Sequence, residues 1–400
     1  MKLKWLKPLL GRTGPFTTVY LDATRAETAG NTEAADRWKG LRRELEHTGA
    51  AARVLDEIGE RAARPTGVAG PHGRVLIADR EGVCVDRLLA EPPARSSAMF
   101  GPVPALLEAA RAADQTVEYL LVQVDRQGAD LFWSDTTGHL GGDHEVIEGG
   151  HDVVHKMREG GMSTGRMETR VEDSWERNAE AVAAGLDRRV AVREPELILV
   201  TGDVRAVALV RDAVGQRVRE LLVEVPGGSR AEGVKVDCFR QKVLAALDKF
   251  RTRRREQVLS LFRQEQGRDE GAVTELGDVI EVLRRGQVRE LVFAEPTPGQ
   301  ASALARRTVW VGPEPLQIGL DRAELTTIGV TDGAEELPAD VGLVRAALGQ
   351  DAGVTFAVDG SVELIDGVGA VLRWSDQGTP SESLVSQSAD RARIREVVKP

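Results

Sequence analysis

Along most of this chain apolar residues either alternate with polar ones or recur every three to four positions, and the two periods separate predicted strands from predicted helices. The segment FTTVYLD (16–22) predicts a strand. A helix follows in which Ala34, Trp38, Leu41 and Leu45 recur at helical spacing, and a second helix runs to Arg64. After the Pro/Gly cluster of 65–73, RVLIA (74–78) and GVCVDRL (82–88) predict a hairpin around a short polar turn. A Pro-rich connection from Pro92 to Pro104 closes this small α/β region.

The alternation resumes with the strands VEYLLVQVD (117–125) and GADLFWSD (128–135), and residues 137–170 read as a loop. Beyond it Val171, Trp175, Val182, Leu186 and Val190 mark one face of an amphipathic helix, which assigns Trp175, like Trp38, to the core. The strand ELILVTGD (196–203), a helix to Val214, the strand ELLVEV (220–225) and a long helix from Val234 continue an α/β pattern. A third region predicts a helix at 273–285, strands at 290–293 and 308–311, a helix at 335–348, and strands at 354–358 and 367–374. Gly367 and Gly369 in the last strand read as bend glycines with a packing role. The pattern divides the chain into domains 1–112, 113–260 and 261–375 and a tail, 376–400, whose Ser, Arg and Asp content predicts disorder.

Charge narrows the functional classes. The chain has 53 Lys+Arg against 63 Asp+Glu, a formal charge of −10, so it is not expected to coat nucleic acid indiscriminately and DNA is not an expected partner. RNA contact is restricted to patches where positive charge is concentrated. The basic start MKLKWLKPLLGRTGPF is interrupted by Lys4, Lys7 and Pro8, and no apolar run approaches the roughly 18 residues of a membrane span. The two cysteines, Cys84 and Cys238, lie far apart outside any C-x-x-C spacing and are expected to be reduced in a cytoplasmic protein. No phosphate-loop, dinucleotide or nucleophile-elbow motif occurs, so no nucleotide cofactor is expected.

Three segments carry candidate chemistry. His139, His144, His151 and His155 fall within 17 residues, and His151 with His155 has the i, i+4 spacing of a metal pair. The position after His151 is Asp152, where a zincin carries Glu, and Gly141, Gly142, Gly149 and Gly150 equally suit a solvated loop or RNA-facing histidines. The second segment is HKMREGGMSTGRMETR (155–170). Gly160 and Gly161 lack β-carbons and permit close approach to a large partner, Lys156, Arg158, Arg166 and Arg170 can pair with phosphates, and methionines such as Met162 pack on flat surfaces. An RNA-lined cavity and a plain solvated loop both fit that composition. The third is the basic run holding Lys249, Arg251, Arg253, Arg254 and Arg255, which faces ribosomal RNA, a partner protein or solvent.

REGGMSTGRMETR followed by VEDSWERNAEAVAA, placed after the first two strands of a middle α/β domain, resembles the loop of archaeal and eukaryotic class 1 release factors. There a Gly-Gly-Gln tip, then Ser and several arginines, leads into a long helix. LRRGQVRELVF and DGVGAVLRW are similar to the third domain of the same superfamily, which includes Pelota. The likeness extends over residues 1–375 and is to the bacterial, actinobacterial-type branch that includes the Balon ribosome hibernation factors. It implies a three-domain α/β chain with a small N-terminal α/β domain, a ribonuclease H-like middle domain and a Pelota-like C-terminal α/β domain. The N-terminal domain would reach the decoding region of the 70S ribosome and the middle domain the peptidyl transferase centre, with elongation factor Tu as a possible neighbour.

The sequence departs from that pattern at the catalytic position. Met162 stands where release factors carry the glutamine that supports attack of water on peptidyl-tRNA, and a thioether has no amide with which to orient water. The codon-reading motifs Asn-Ile-Lys-Ser and Tyr-x-Cys-x-x-x-Phe are absent from residues 1–110. The resemblance therefore implies a non-enzymatic factor that occupies the vacant A site and places the 155–170 loop at the peptidyl transferase centre of an idle ribosome. A rescue factor that hydrolyses peptidyl-tRNA is the alternative, and a protein-binding scaffold unrelated to translation a third.

Overall fold

In the structure, a computed structural model, the described residues are 3–24, 30–68, 70–135, 137–138, 140–150, 164–230, 235–268, 271–295, 303–358 and 360–380. They form two compact units, Thr116–Arg253 and Met1–Gln115 with Arg254–Pro400.

The N-terminal part of the second of these begins with a 3-10 helix, Lys4–Gly11, that buries Leu6 and Leu9 and that the basic opening sequence conceals. Next come β1 (Phe16–Asp22), α1 (Gly30–His47), α2 (Ala52–Ala63), β2 (Gly73–Ala78), β3 (Val83–Leu89), β4 (Ser97–Gly101) and α3 (Leu107–Gln115). The four strands form an antiparallel sheet in the order β3-β2-β1-β4. Period-two alternation sends Val19 and Leu21 to one face, against Trp38, Leu45, Leu55 and Ile58, and Phe16 and Tyr20 to the other. Strand β4 corrects the Pro92–Pro104 connection: the prolines lie outside Ser97–Gly101, which pairs with β1 as an edge strand.

The unit Thr116–Arg253 contains β5 (Tyr119–Val124), β6 (Gly128–Ser134), β7 (Leu140–Glu148), α4 (Thr164–Arg193), β8 (Leu197–Gly202), α5 (Val204–Ala213), α6 (Gln216–Leu221), β9 (Leu222–Glu224) and α7 (Val236–Gln266, to Arg253). The sheet runs β7-β6-β5-β8-β9, antiparallel across β5, β6 and β7 and parallel from β5 to β8 to β9. This is the ribonuclease H-like arrangement expected of a release-factor middle domain. One face packs Leu120, Val122 and Leu131 against Val182, Leu186 and Val190 of α4 and Val207 and Val210 of α5. The other packs Tyr119, Leu121, Leu197 and Leu199 against Val243 and Leu247 of α7. A central strand buried on both sides reads as the continuous apolar run LILV rather than as an alternation.

Two expectations fail here. The predicted 137–170 loop is regular at both ends, because β7 takes Leu140–Glu148 and α4 begins at Thr164, while residues 151–163 lie outside the described residues. As an edge strand β7 anchors itself through Ile147 alone of its apolar residues and otherwise carries Asp143, His144 and Glu145, which conceals the strand pattern. The predicted strand 220–225 is α6 followed by the three-residue β9.

The remaining chain adds β10 (Ala272–Val273), α8 (Leu276–Arg284), β11 (Val288–Glu295), β12 (Thr308–Val311), β13 (Ile318–Gly319), α9 (Arg322–Thr327), β14 (Glu335–Pro338), α10 (Ala339–Gly349), β15 (Gly353–Val358) and β16 (Val368–Leu372). They form the sheets β10-β16-β11-β15 and β13-β12-β14. The helix predicted at 335–348 begins only after Pro338, since Glu335–Pro338 pairs with β12, and the one at 273–285 begins at Leu276. Gly367 has φ +78°, and a β-carbon at Gly369 would stand 2.8 Å from Phe262 Cζ. Cys84 and Cys238 are free thiols. No helix among the described residues is long and apolar enough to cross a membrane.

Candidate functional site

The parallel strands β5 and β8 end side by side, Val124 opposite Gly202. In open α/β sheets the carboxyl ends of such strands form the natural crevice for a ligand. Gly202 has φ +133°, and its α-carbon hydrogens face the Val124 carbonyl so closely that a β-carbon would stand 2.8 Å from the Val124 carbonyl carbon. That tight approach lets the Asp203 N–H donate to Val124 O at 3.1 Å. Asp203 then caps α5, its Oδ1 accepting from the N–H groups of Arg205 (3.0 Å) and Ala206 (3.1 Å). Burial pushes the Asp203 carboxyl up, but those N–H donors and Arg126 outweigh it and hold the group below its ordinary value.

Arg126 comes from the turn between β5 and β6. Its Nη2 lies 3.3 Å from Asp203 Oδ2, and its guanidinium sits 4.2 Å from the centroid of the Trp175 ring. The Arg205 guanidinium lies 5.1 Å from the same ring. Trp175 is thus half-buried between sheet and helix and in contact with two cations, which corrects its assignment to the core; Trp38 is buried at 7% exposure. The next turn of α4 supplies Asn178, buried, whose Nδ2 donates to the Arg126 carbonyl at 2.9 Å. Against Asn178 lies Gly149, where a β-carbon would approach Asn178 Cβ to 2.6 Å, and the Gly149 N–H donates to Gln127 O at 2.6 Å. Asp125 closes the turn by accepting from the N–H groups of Gln127 and Gly128, and it and Asp130 engage Arg230 at 2.8 and 2.9 Å.

This knot of hydrogen bonds is the root of an arm formed by the N-terminal part of α4. The helix begins at Thr164, 14 residues before Asn178. At 1.5 Å per residue those 14 residues carry the start of the helix about 21 Å along its axis from the root.

Sequence-predicted site residues fall into four sets. Lys156, Arg158, Gly160, Gly161 and Met162, with His151 and His155, lie outside the described residues. Arg166 and Arg170 fall on the first turns of α4. His144 stacks on Phe132 with ring centroids 4.6 Å apart on β7. In the basic run of α7, Lys249 and Arg253 are exposed and Arg251 is half-buried. Arg254 and Arg255 serve the fold instead, Arg254 donating to the carbonyl of Asp114 and Arg255 lying 3.6 Å from its carboxylate. Burial pushes that Asp114 carboxyl up against the pull of both arginines.

Arg126, Arg205 and Asn178 were not anticipated from the sequence. Turn arginines carry no periodic signal, and only the strand-Gly-Asp-helix order of LVTGDVRAVALV hinted at a capped junction. A cleft of about 810 Å³ in the other unit touches Arg12, Arg80 and Arg345, but Arg12 pairs with Asp79 at 2.5 Å and Arg345 is engaged by the carbonyls of Gly312, Pro313 and Glu314.

Residues 118–268 match the family model described as bacterial archaeo-eukaryotic release factor family 2. Over that segment the chain is similar to that family. It is also 27% identical over 383 residues to an uncharacterized protein of Mycobacterium tuberculosis H37Rv, Rv2629, covering 94% of this chain and 96% of that one. Solved structures similar to this chain include Dom34 of S. cerevisiae, described as a translation termination-like factor interacting with Hbs1 (10% identity, TM-score 0.36, 77% and 81% covered). Archaeoglobus fulgidus Pelota (11%, TM-score 0.32, 94% and 92%) and a ribosome-bound archaeal Pelota with ABCE1 (12%, TM-score 0.37, 93% and 93%) are others.

Proposed function

We propose that this release-factor-like protein is a ribosome-associated translation factor that occupies the vacant A site and inserts its 155–170 loop at the peptidyl transferase centre without hydrolysing peptidyl-tRNA. The observation that carries this is the arm: the stitched root at Asn178, Gly149 and Arg126, with helix running about 21 Å beyond it to a Gly-Gly-Met segment, inside the span that matches a release-factor family. A helical stalk of that reach suits delivery of a short, β-carbon-free tip into a deep cavity. Lys156, Arg158, Arg166 and Arg170 would meet phosphates, and Met162 lacks the amide that water activation needs. The factor would hold an idle ribosome closed to tRNA, and elongation factor Tu is a protein partner consistent with this role.

Purified 70S ribosomes test it. The protein is expected to cosediment with tRNA-free particles and to leave labelled peptidyl-tRNA intact. Four phosphate contacts through Lys156, Arg158, Arg166 and Arg170 imply that log K falls with log salt at a slope of about −3 to −4, and reversing the three arginines should remove most of it. Peptide release stimulated by the protein and lost on deleting 158–166 would establish the rescue hydrolase instead. Failure to sediment with ribosomes at low salt would remove the ribosome from the account.

A further inference from the structure

The Arg126–Trp175–Arg205 tier lies at the root of the arm, and neither Met162 nor the loop arginines need it for their role. Its guanidiniums stand 4.2 and 5.1 Å from the indole centroid, Arg205 is exposed, and the Arg126 side chain is 52% exposed. Val204, next to Arg205, is 80% exposed. Trp38, which packs in the N-terminal core, is put away at 7% exposure, whereas Trp175 stays half-open to water.

The tier is also held in place before any partner arrives. Asp203 fixes the Arg126 guanidinium from one side and sets the start of α5, and so the position of Arg205, from the other. Asn178 ties the Arg126 backbone to α4, three residues from Trp175. Little rotamer freedom is left to lose on binding. Planar guanidiniums lying over a half-buried indole, with an exposed valine at the margin, present a flat cationic and apolar surface. That chemistry stacks a nucleobase on the guanidinium planes while the cationic charge meets the flanking phosphate. An acidic protein surface would use the arginines but has no use for the ring.

We infer that this tier is a second RNA contact of the protein, a stacking platform for an unpaired nucleotide of ribosomal RNA at the root of the arm. The inference rests on the ribosome being the partner, and it predicts recognition of a splayed-out base rather than of a duplex.

The test uses the full chain and purified, tRNA-free 70S ribosomes, with affinity by sedimentation and base accessibility by chemical probing of the ribosomal RNA. Trp175→Leu keeps an apolar side chain of moderate size but removes the stacking ring, and should weaken binding about 10-fold. It should also expose one or a few bases that the wild-type protein shields. Trp175→Phe should restore most of the affinity and the same protections. Should Trp175→Leu lower the melting temperature, the Arg126→Gln/Arg205→Gln pair is read for those same bases. If wild type binds ribosomes and both sets of variants bind equally well with an unchanged protection pattern, the tier is not an RNA contact. Loss with the arginine pair but not with Trp175→Leu would also overturn base stacking, pointing to a phosphate or an acidic protein. Absence of wild-type binding fails the ribosome assignment itself and is seen before any variant is made.

Discussion

Gly202→Ala probes the junction that positions the whole site. Gly202 sits at φ +133°, a region that costs an L side chain on the order of 1–3 kcal/mol, and its added β-carbon would lie 2.8 Å from the Val124 carbonyl carbon and closer still to the oxygen. That oxygen accepts the Asp203 N–H at 3.1 Å, so relieving the clash breaks a bond worth about 0.5–1.5 kcal/mol. The sum is a local destabilisation of about 2–4 kcal/mol at the ends of β5 and β8. Since a factor of ten is about 1.4 kcal/mol, amides of the segment 197–213 should exchange roughly 30- to 1000-fold faster by hydrogen-exchange mass spectrometry. The control is Gly150→Ala, whose β-carbon meets nothing within 4 Å and which should leave exchange unchanged. Exchange of 197–213 within threefold of wild type would refute the claim that this backbone contact holds the Asp203 cap, Arg126 and Arg205 in register.

Asn178→Ala removes the buried donor to the Arg126 carbonyl and should cost about 1–3 kcal/mol, read as a lower urea midpoint with faster exchange in the 125–128 turn. Arg345→Met strips three backbone carbonyls at 312–314 of a charged donor and should cost about 1.5–3 kcal/mol, measured by thermal unfolding. Glu145 is held below its ordinary value of 4.5 chiefly by the hydrogen bond from Arg189, against the opposing effect of burial. The folded state then binds fewer protons than the unfolded one, so this stabilisation is present above pH 4.5 and is lost as pH falls through the lower folded value. A Glu145→Gln chain should show a correspondingly shallower loss of stability in an acid titration followed by circular dichroism.

Local pattern was enough for elements whose burial is one-sided or complete. The strands at 16–22, 117–125, 128–135 and 196–203 and the apolar faces of α1 and, beyond Trp175, of α4 were legible because each side chain's environment there follows from its own periodicity. The same is true of the Gly-Gly-Met segment and the departure from glutamine, which are matters of residue identity alone. Where a strand lies at an edge, periodicity fades: β4 is half-buried on both sides after Ser97 and β7 exposes polar residues on both sides, and only pairing with β1 and β6 makes them strands.

Charge and aromatic pairing lay further out of reach, because they join residues far apart in the chain. Nothing within the run around Arg255 says that Arg254 and Arg255 answer to Asp114 while Lys249 and Arg253 face water. Nothing in the periodicity that placed Trp175 on an apolar face says that Arg126, 49 residues earlier, and Arg205, 30 residues later, meet its ring. The amino-acid order by itself determined which segments are strands and helices with a buried face and that a Gly-Gly-Met segment precedes α4 in the chain. Tertiary structure decided which cations are spent on the fold and which lie over a ring, since electrostatic and stacking energies depend on separations of a few ångströms that only the closed fold sets.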